Sequence, residues 1–168
     1  VNESKLDVKK RAVIEIAENL FLSQGLATTE MKEIARCASI SRSTLYRMFD
    51  SRETLAFAVA DKCLHELFDP KPMEIYGTDR SGFEILRSYS SNLIETMIQG
   101  VRYVKYLSEF DQMFSGDYPD TPEARKYVQF NRQRHDRQIL LNILRLGTED
   151  GSIRGDIDAN MLELTIGN

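Results

Sequence analysis

The sequence predicts an all-α protein, and three observations carry that expectation. Apolar residues recur at three- and four-residue steps through most of the chain, and no convincing period-2 pattern interrupts them. Helix stop and start signals, among them Gly25, Ser81-Gly82-Phe83-Glu84 and Thr121-Pro122-Glu123, divide these segments at helical lengths. The composition is globular: 42% hydrophobic and 29% charged among 168 residues, with only 4 Pro.

The elements follow in order. Val13, Ile14, Ile16, Ala17, Leu20 and Phe21 share one face of a first helix, Val8 to Gln24, which Gly25 terminates. Thr28-Thr29 before the acidic Glu30 reads as the cap of a second helix, through Cys37. Ala38-Ser39-Ile40-Ser41 is a short break, and a third helix, Arg42 to Phe49, has Ser41 as its cap. Asp50-Ser51-Arg52-Glu53 opens a fourth helix with Leu55, Val59, Cys63 and Leu67 as its apolar stripe, ended by Pro70 and Pro72. Ser81 and Glu84 form a capping box for a fifth helix, reaching Gly100. A sixth runs from Val101 to about Phe114 and is closed by Ser115-Gly116-Asp117-Tyr118-Pro119. Pro122 suits the first turn of a long seventh helix, extending as far as Glu149. Asp150-Gly151 turns the chain, and Asp158 caps a last helix reaching Asn168.

Charge and composition exclude several function classes. No apolar run approaches the ~18–20 residues of a membrane span, and no secretory signal pattern opens the sequence, which predicts an intracellular, cytoplasmic protein. The two cysteines, Cys37 and Cys63, match no metal spacing and read as free, buried thiols. His65 and His135 are isolated, no catalytic constellation can be assembled from spacing, and no glycine-rich phosphate loop is present. Neither enzyme chemistry nor a cofactor or metal is expected. The net charge of -4 conceals an asymmetry: residues 1–60 hold 9 Lys and Arg against 8 Asp and Glu, and residues 61–168 hold 13 against 18. A locally basic head on an acidic body is compatible with nucleic acid, whereas indiscriminate coating of it is not.

Met31 to Asp50 is the informative segment. Two short helices joined by a tight turn must cross closely, which demands a small residue, Ala35, at the crossing and apolar Ile34, Ala38, Ile40 and Leu45 around it. The opposite side of the third helix then presents Arg42, Ser43, Thr44, Tyr46 and Arg47, with no acidic residue among them. This is a helix-turn-helix with a recognition helix suited to a major groove.

Residues 11–55 resemble the DNA-binding domain of the TetR family of bacterial transcriptional regulators. The string Leu45-Tyr46-x-x-Phe49-x-Ser51-x-Glu53-x-Leu55, at its distance after Phe21-x-x-x-Gly25, carries the resemblance, together with Arg11, Ile14, Ala17, Thr29, Ile34, Ala35, Ala38, Ile40, Ser41, Ser43 and Thr44. Two positions depart from the family pattern: Ser39 stands where glycine is usual in the turn, and Arg52 where lysine is favoured. The resemblance implies a homeodomain-like three-helix head, residues 1–51, and a helical effector-binding and dimerisation domain, residues 52–168, which the family usually continues through further helix. It implies DNA-backbone contacts from Thr29, Thr44, Tyr46 and Arg52. Base-edge contacts would come from Arg42 and Ser43, with Lys32 and Arg47. Lys5, Lys9, Lys10 and Arg11 read either as a basic arm near the backbone or minor groove or as a solvated helix start. It further implies a homodimer on a palindromic double-stranded operator and a small, largely apolar effector, for which Tyr103, Tyr106, Phe110 and Phe114 are the candidate contacts. Two other readings stand beside this ligand-responsive repressor. One is a regulator controlled by a partner protein or by nothing, and the other is a helical small-molecule binder or enzyme with a vestigial head. The run Arg132-Gln133-Arg134-His135-Asp136-Arg137 reads as a solvated face or subunit contact in preference to an anion site.

Overall fold

The computed structural model describes residues 4–68, 79–114, 118–133 and 136–156. Among them stand eight α-helices and no strand: α1 (Lys5–Gln24), α2 (Met31–Cys37), α3 (Arg42–Met48), α4 (Arg52–Phe68), α5 (Gly82–Gln99), α6 (Val101–Phe114), α7 (Pro122–Gln133) and α8 (Asp136–Glu149). The all-α expectation is met. The chain forms two compact units, Val1–Leu67 with Gly100–Arg132, and Phe68–Gln99 with Gln133–Asn168.

Local hydrogen bonding explains where the helices begin. Ser4 Oγ accepts from the Asp7 amide at 3.2 Å, so α1 starts before the expected Val8. Gly25 ends α1 as expected, with φ 96° and its amide donating to the Phe21 carbonyl. The threonine cap of α2 is not realised. Thr28 and Thr29 donate their hydroxyls backwards, to the carbonyls of Gln24 at 2.6 Å and Gly25 at 2.8 Å, and no side chain caps α2. The open carbonyls at the end of α1 compete successfully for those hydroxyls. Ser41 caps α3, which ends at Met48, and Ser51 Oγ accepts from the Thr54 amide at the start of α4. The stretch expected as one helix from Pro122 to Glu149 is helical on both sides of residues 134–135, as α7 and α8. Pro70, Pro72, residues 115–117, residues 134–135 and Asp158 lie outside the described residues.

In the first unit, Thr54 to Ala60 of α4 are all buried, so the beginning of this helix is enclosed on every side. Val13, Ala17 and Phe21 come from α1, Tyr106 and Phe110 from α6, and Ala124 and Tyr127 from α7. Phe57 sits among aromatic rings, edge-on to Phe110 at 4.8 Å and to Tyr127 at 5.7 Å, and tilted against Phe114 at 4.9 Å. Such pairs contribute ~0.5–1.5 kcal/mol each beyond their buried area. The Tyr106 ring stacks on Phe21 at 6.0 Å, and its hydroxyl donates to the Ala56 carbonyl at 3.0 Å. Glu18 of α1, 5% exposed, is paired with Lys62 of α4. Burial works against the Lys62 ammonium, yet the hydrogen bond and charge of Glu18 outweigh it and hold the group above the usual lysine range.

Cys63 is buried, and burial pushes its thiol up to about 12, which keeps it protonated and unreactive. Cys37, expected to be buried, is exposed at the end of α2 with the Arg36 guanidinium donating to its Sγ at 3.6 Å. The reason is geometric: Met31, Ile34 and Ala35 together define the inner face of α2, and at about 100° per residue Cys37 falls roughly 110° round the helix from the middle of that face.

The second unit pairs α5 with α8 through Ile85 and Ile143, flanked by Leu86, Tyr89 and Ile139. The capping box forms: the Ser81 amide donates to Glu84 Oε2 at 2.9 Å and the Glu84 amide to Ser81 Oγ at 3.3 Å. Beyond α8, Asp150 Oδ2 accepts from the Gly82 amide at 2.6 Å and Ser152 Oγ from the Phe83 amide at 3.0 Å. Gly82 lies so close to Gly147 that a Cβ would fall inside the Gly147 backbone. Gly82→Ala is therefore expected to destabilise the protein by about 1–3 kcal/mol, read as a lowered urea midpoint.

A second expectation concerns pH. Asp61 of α4 is half-buried; among the described residues its Oδ1 has no hydrogen-bond partner, and His65 Nε2 lies 3.8 Å away. Burial pushes the Asp61 carboxyl above the ordinary range, outweighing His65 and Lys126. A carboxyl raised in the folded state lowers stability at neutral pH, and that penalty is relieved as the pH falls through the folded-state value. Asp61→Asn should raise the urea midpoint at pH 7. The gain should shrink towards the acid end of a titration into the ordinary carboxylate range, about pH 4.

Candidate nucleic-acid interface

The turn between α2 and α3 sets the crossing of the two helices. The Ser39 amide donates to the Arg36 carbonyl at 3.1 Å and the Ile40 amide to the Ala35 carbonyl at 3.0 Å. This is the paired bonding of a Schellman helix end, which places its C′ residue in the left-handed region. Ser39 occupies that place with φ 54°, the one positive-φ non-glycine among the described residues. Ile34, Ala35 and Leu45 are buried beneath the turn. The small side chain of Ala35 is what allows this approach.

Ser41 organises the start of α3. Its Oγ accepts from the Thr44 amide at 3.1 Å and lies 2.9 Å from Ser43 Oγ and 2.8 Å from Thr44 Oγ1. Leu45 and Met48 anchor the inner face of α3. The outer face then carries Arg42, Ser43, Tyr46 and Arg47, all exposed, with Tyr46 at 47%, while Thr44 is half-buried. A helix pinned on one side and bearing two guanidiniums, two hydroxyls and no carboxylate on the other can contact phosphates and base edges together.

The remaining expected contacts are arranged differently. Lys32 is exposed, but its ammonium is paired with Glu30 Oε2 at 2.7 Å. The hydrogen bond and charge of Lys32, with Arg42 more distantly, hold the Glu30 carboxyl below the usual range. Glu30 is thus a carboxylate beside the reading face that the sequence analysis does not place there; its spacing two residues before Lys32 is the available signal. Thr29 is fully buried, its hydroxyl engaged by Gly25, so its side chain is not at the surface. Arg52 is half-buried and donates through Nη1 to the Ala27 carbonyl at 3.1 Å, tying the start of α4 to the α1–α2 connection. In the basic segment, Lys5, Lys9 and Arg11 are exposed, whereas Lys10 is half-buried over the Phe49 ring at 5.5 Å and 4.0 Å from Glu123.

Of the aromatic residues considered for an effector, Tyr106 and Phe110 are core residues. Phe114 is half-buried against Phe57 and Phe110, and Tyr103, half-buried, accepts from Arg102 Nη2 at 2.8 Å. His65 is exposed and faces the Phe130 ring at 3.9 Å. Among the described residues no three His, Cys, Asp or Glu side chains group to hold a metal, and no helix is long and apolar enough to cross a membrane.

The strain at Ser39 yields a measurable expectation. Left-handed backbone costs a side-chain-bearing residue about 1 kcal/mol, which glycine avoids. Ser39→Gly should raise stability by roughly that amount in urea denaturation, and the α3 face should keep its DNA affinity.

Residues 13–59 match the family model described as "Bacterial regulatory proteins, tetR family". The HTH-type transcriptional repressor KstR2 of Rhodococcus jostii (strain RHA1) is 28% identical over 157 residues, covering 91% of this chain and 72% of that protein. The structure of the ketosteroid transcriptional regulator KstR2 of Mycobacterium tuberculosis superposes with a TM-score of 0.62 at 22% identity, over all of this chain and 80% of that one. The TetR family regulator PfmR of Thermus thermophilus superposes with a TM-score of 0.67 at 21% identity, over 92% and 79%. These two likenesses show a shared fold, while the family match falls on the segment whose packing builds the reading head. Residues 13–59 thus carry a DNA-binding domain of the TetR type, and the chain is a DNA-binding transcriptional regulator.

Proposed function

We propose that this regulator is a ligand-responsive repressor that binds a palindromic operator as a homodimer, with residues 1–51 as its reading head and residues 52–168 as its effector and pairing domain. The observation that carries the reading is the one-sided α3: Leu45 and Met48 hold it from within, while Arg42, Ser43, Tyr46 and Arg47 face outwards. Arg42 and Ser43 read base edges, with Arg47, and with Lys32 once it leaves Glu30. Tyr46 and Thr44 contact the phosphate backbone. Arg52 acts on DNA through the α1–α2 connection it holds. Two such heads on a two-fold axis would enter major grooves about 34–36 Å apart.

The repressor names of the KstR2 relatives support the direction of regulation, and the M. tuberculosis protein is described as a ketosteroid regulator. That makes small, largely apolar molecules the first effector class to test. Tyr106 and Phe110 are enclosed in the core, so such a molecule would meet Tyr103 and Phe114 first. An effector that favours the non-binding conformer by ~1–3 kcal/mol weakens DNA affinity roughly 5- to 150-fold, and DNA weakens the effector equally.

Selection of bound duplexes from a random library, followed by salt titration, tests the reading. An inverted repeat with half-sites one helical turn apart is the expected product. On that operator Arg42→Ala should cost about 1–3 kcal/mol and relax preference at one base pair, whereas Tyr46→Phe should weaken all duplexes alike. Equal loss on operator and random DNA in Arg42→Ala would remove Arg42 from base reading.

A further inference from the structure

Helix α6 reaches the reading head through one carboxylate. Glu109 Oε1 accepts from the Leu26 amide at 3.1 Å and lies 3.4 Å from the Ala27 amide, which also donates to it. These two amides follow Gly25, where α1 ends, and are 83 and 82 residues away in sequence. The same connection is held from its other side, where the Ala27 carbonyl accepts from Arg52 Nη1 at the first residue of α4. Thr28 and Thr29 bond back to α1, Gln24 Nε2 donates to Glu33 Oε1 of α2 at 3.1 Å, and α2 begins directly afterwards at Met31. One turn earlier on α6, Tyr106 makes the stacking contact with Phe21 and the bond to Ala56. Stacked rings tolerate sliding. A carboxylate oxygen shared by two backbone donors is directional, and charge strengthens it.

We propose that Glu109 is a positioning residue for DNA reading: its carboxylate holds the α1–α2 connection, and through it the α2–α3 pair, in the orientation in which Arg42, Ser43, Tyr46 and Arg47 meet a duplex. Glu109 itself touches no DNA. The proposal rests on the assignment of α3 as the reading helix. Non-specific binding needs only positive charge near phosphates and survives a reoriented head, whereas specific binding needs the helix in register with the groove. Loss of Glu109 therefore lowers the preference for operator over random DNA, which a merely structural role would leave unchanged.

The experiment measures affinity for the selected operator and for a random duplex, with thermal unfolding as a control. The variants are Glu109→Ala, Glu109→Asp and Glu109→Gln. Glu109→Asp keeps the charge but shortens the side chain by one methylene; Glu109→Gln keeps the reach and an acceptor oxygen. The preference for operator is expected to fall about tenfold in Glu109→Ala and Glu109→Asp and to be largely retained in Glu109→Gln. Glu109→Asp decides the matter should Glu109→Ala fail to fold. A selective wild type whose preference is unchanged in Glu109→Asp, with only the melting temperature lowered, overturns this proposal alone. A wild type that selects no sequence overturns the assignment of α3 and this proposal with it.

Discussion

Enclosure of the first turns of α4 is the constraint on which the first unit depends. From Thr54 to Ala60 every residue is buried, so the helix needs apolar or hydrogen-bonded partners on all sides at once. Tyr106 supplies a hydrogen bond to the Ala56 carbonyl, and Phe110 and Tyr127 supply rings against Phe57. Phe57 cannot be satisfied by the helix-turn-helix alone, because its ring contacts are with Phe110, Phe114, Tyr118 and Tyr127. The same core that supports the reading head therefore includes residues more than fifty positions away. A movement of α6 or α7 must be accommodated in a close-packed interior, which transmits displacement instead of absorbing it.

Hydrogen bonding at the head has a corresponding division. The α1–α2 connection is made almost entirely of inward contacts: Thr28, Thr29, Arg52 and Glu109 each engage a backbone group there. Outward chemistry is concentrated on α3, where Arg42, Ser43, Tyr46 and Arg47 are exposed. Glu30 stands between the two regions, drawing Lys32 to itself and lying within the field of Arg42. A carboxylate there subtracts from indiscriminate attraction to phosphate, in keeping with the overall charge of -4.

Much of this is legible in the linear sequence because it depends on neighbours within one turn. The caps at Ser41 and Ser81, the stop at Gly25, the small Ala35 at the helix crossing and the inward Ile34 and Leu45 are all local consequences of spacing. Ser39 stands out in the sequence as a departure from glycine, and the structure realises it as a left-handed serine. Local logic also misplaces some residues. Thr28 and Thr29 satisfy the criteria for a cap, yet the unpaired carbonyls behind them are the stronger attraction. Cys37 reads as buried on residue type alone, and its angular position on α2 puts it outside.

The sequence by itself determined the all-helical class, the order of the helices through α6 and the outward side of α3, because helical period, caps and the faces of a short helix are properties of contiguous residues. Only the tertiary structure decided which polar groups were already engaged. Arg52 and Glu109 lie far apart in the chain and meet the same short connection from opposite sides, a relation that no spacing rule encodes. Likewise, the aromatic residues of α6 separate into enclosed and accessible members only when α1, α4 and α7 close around them. Contacts at long sequence separation depend on how helices pack, and packing selects among side chains that look alike in the sequence.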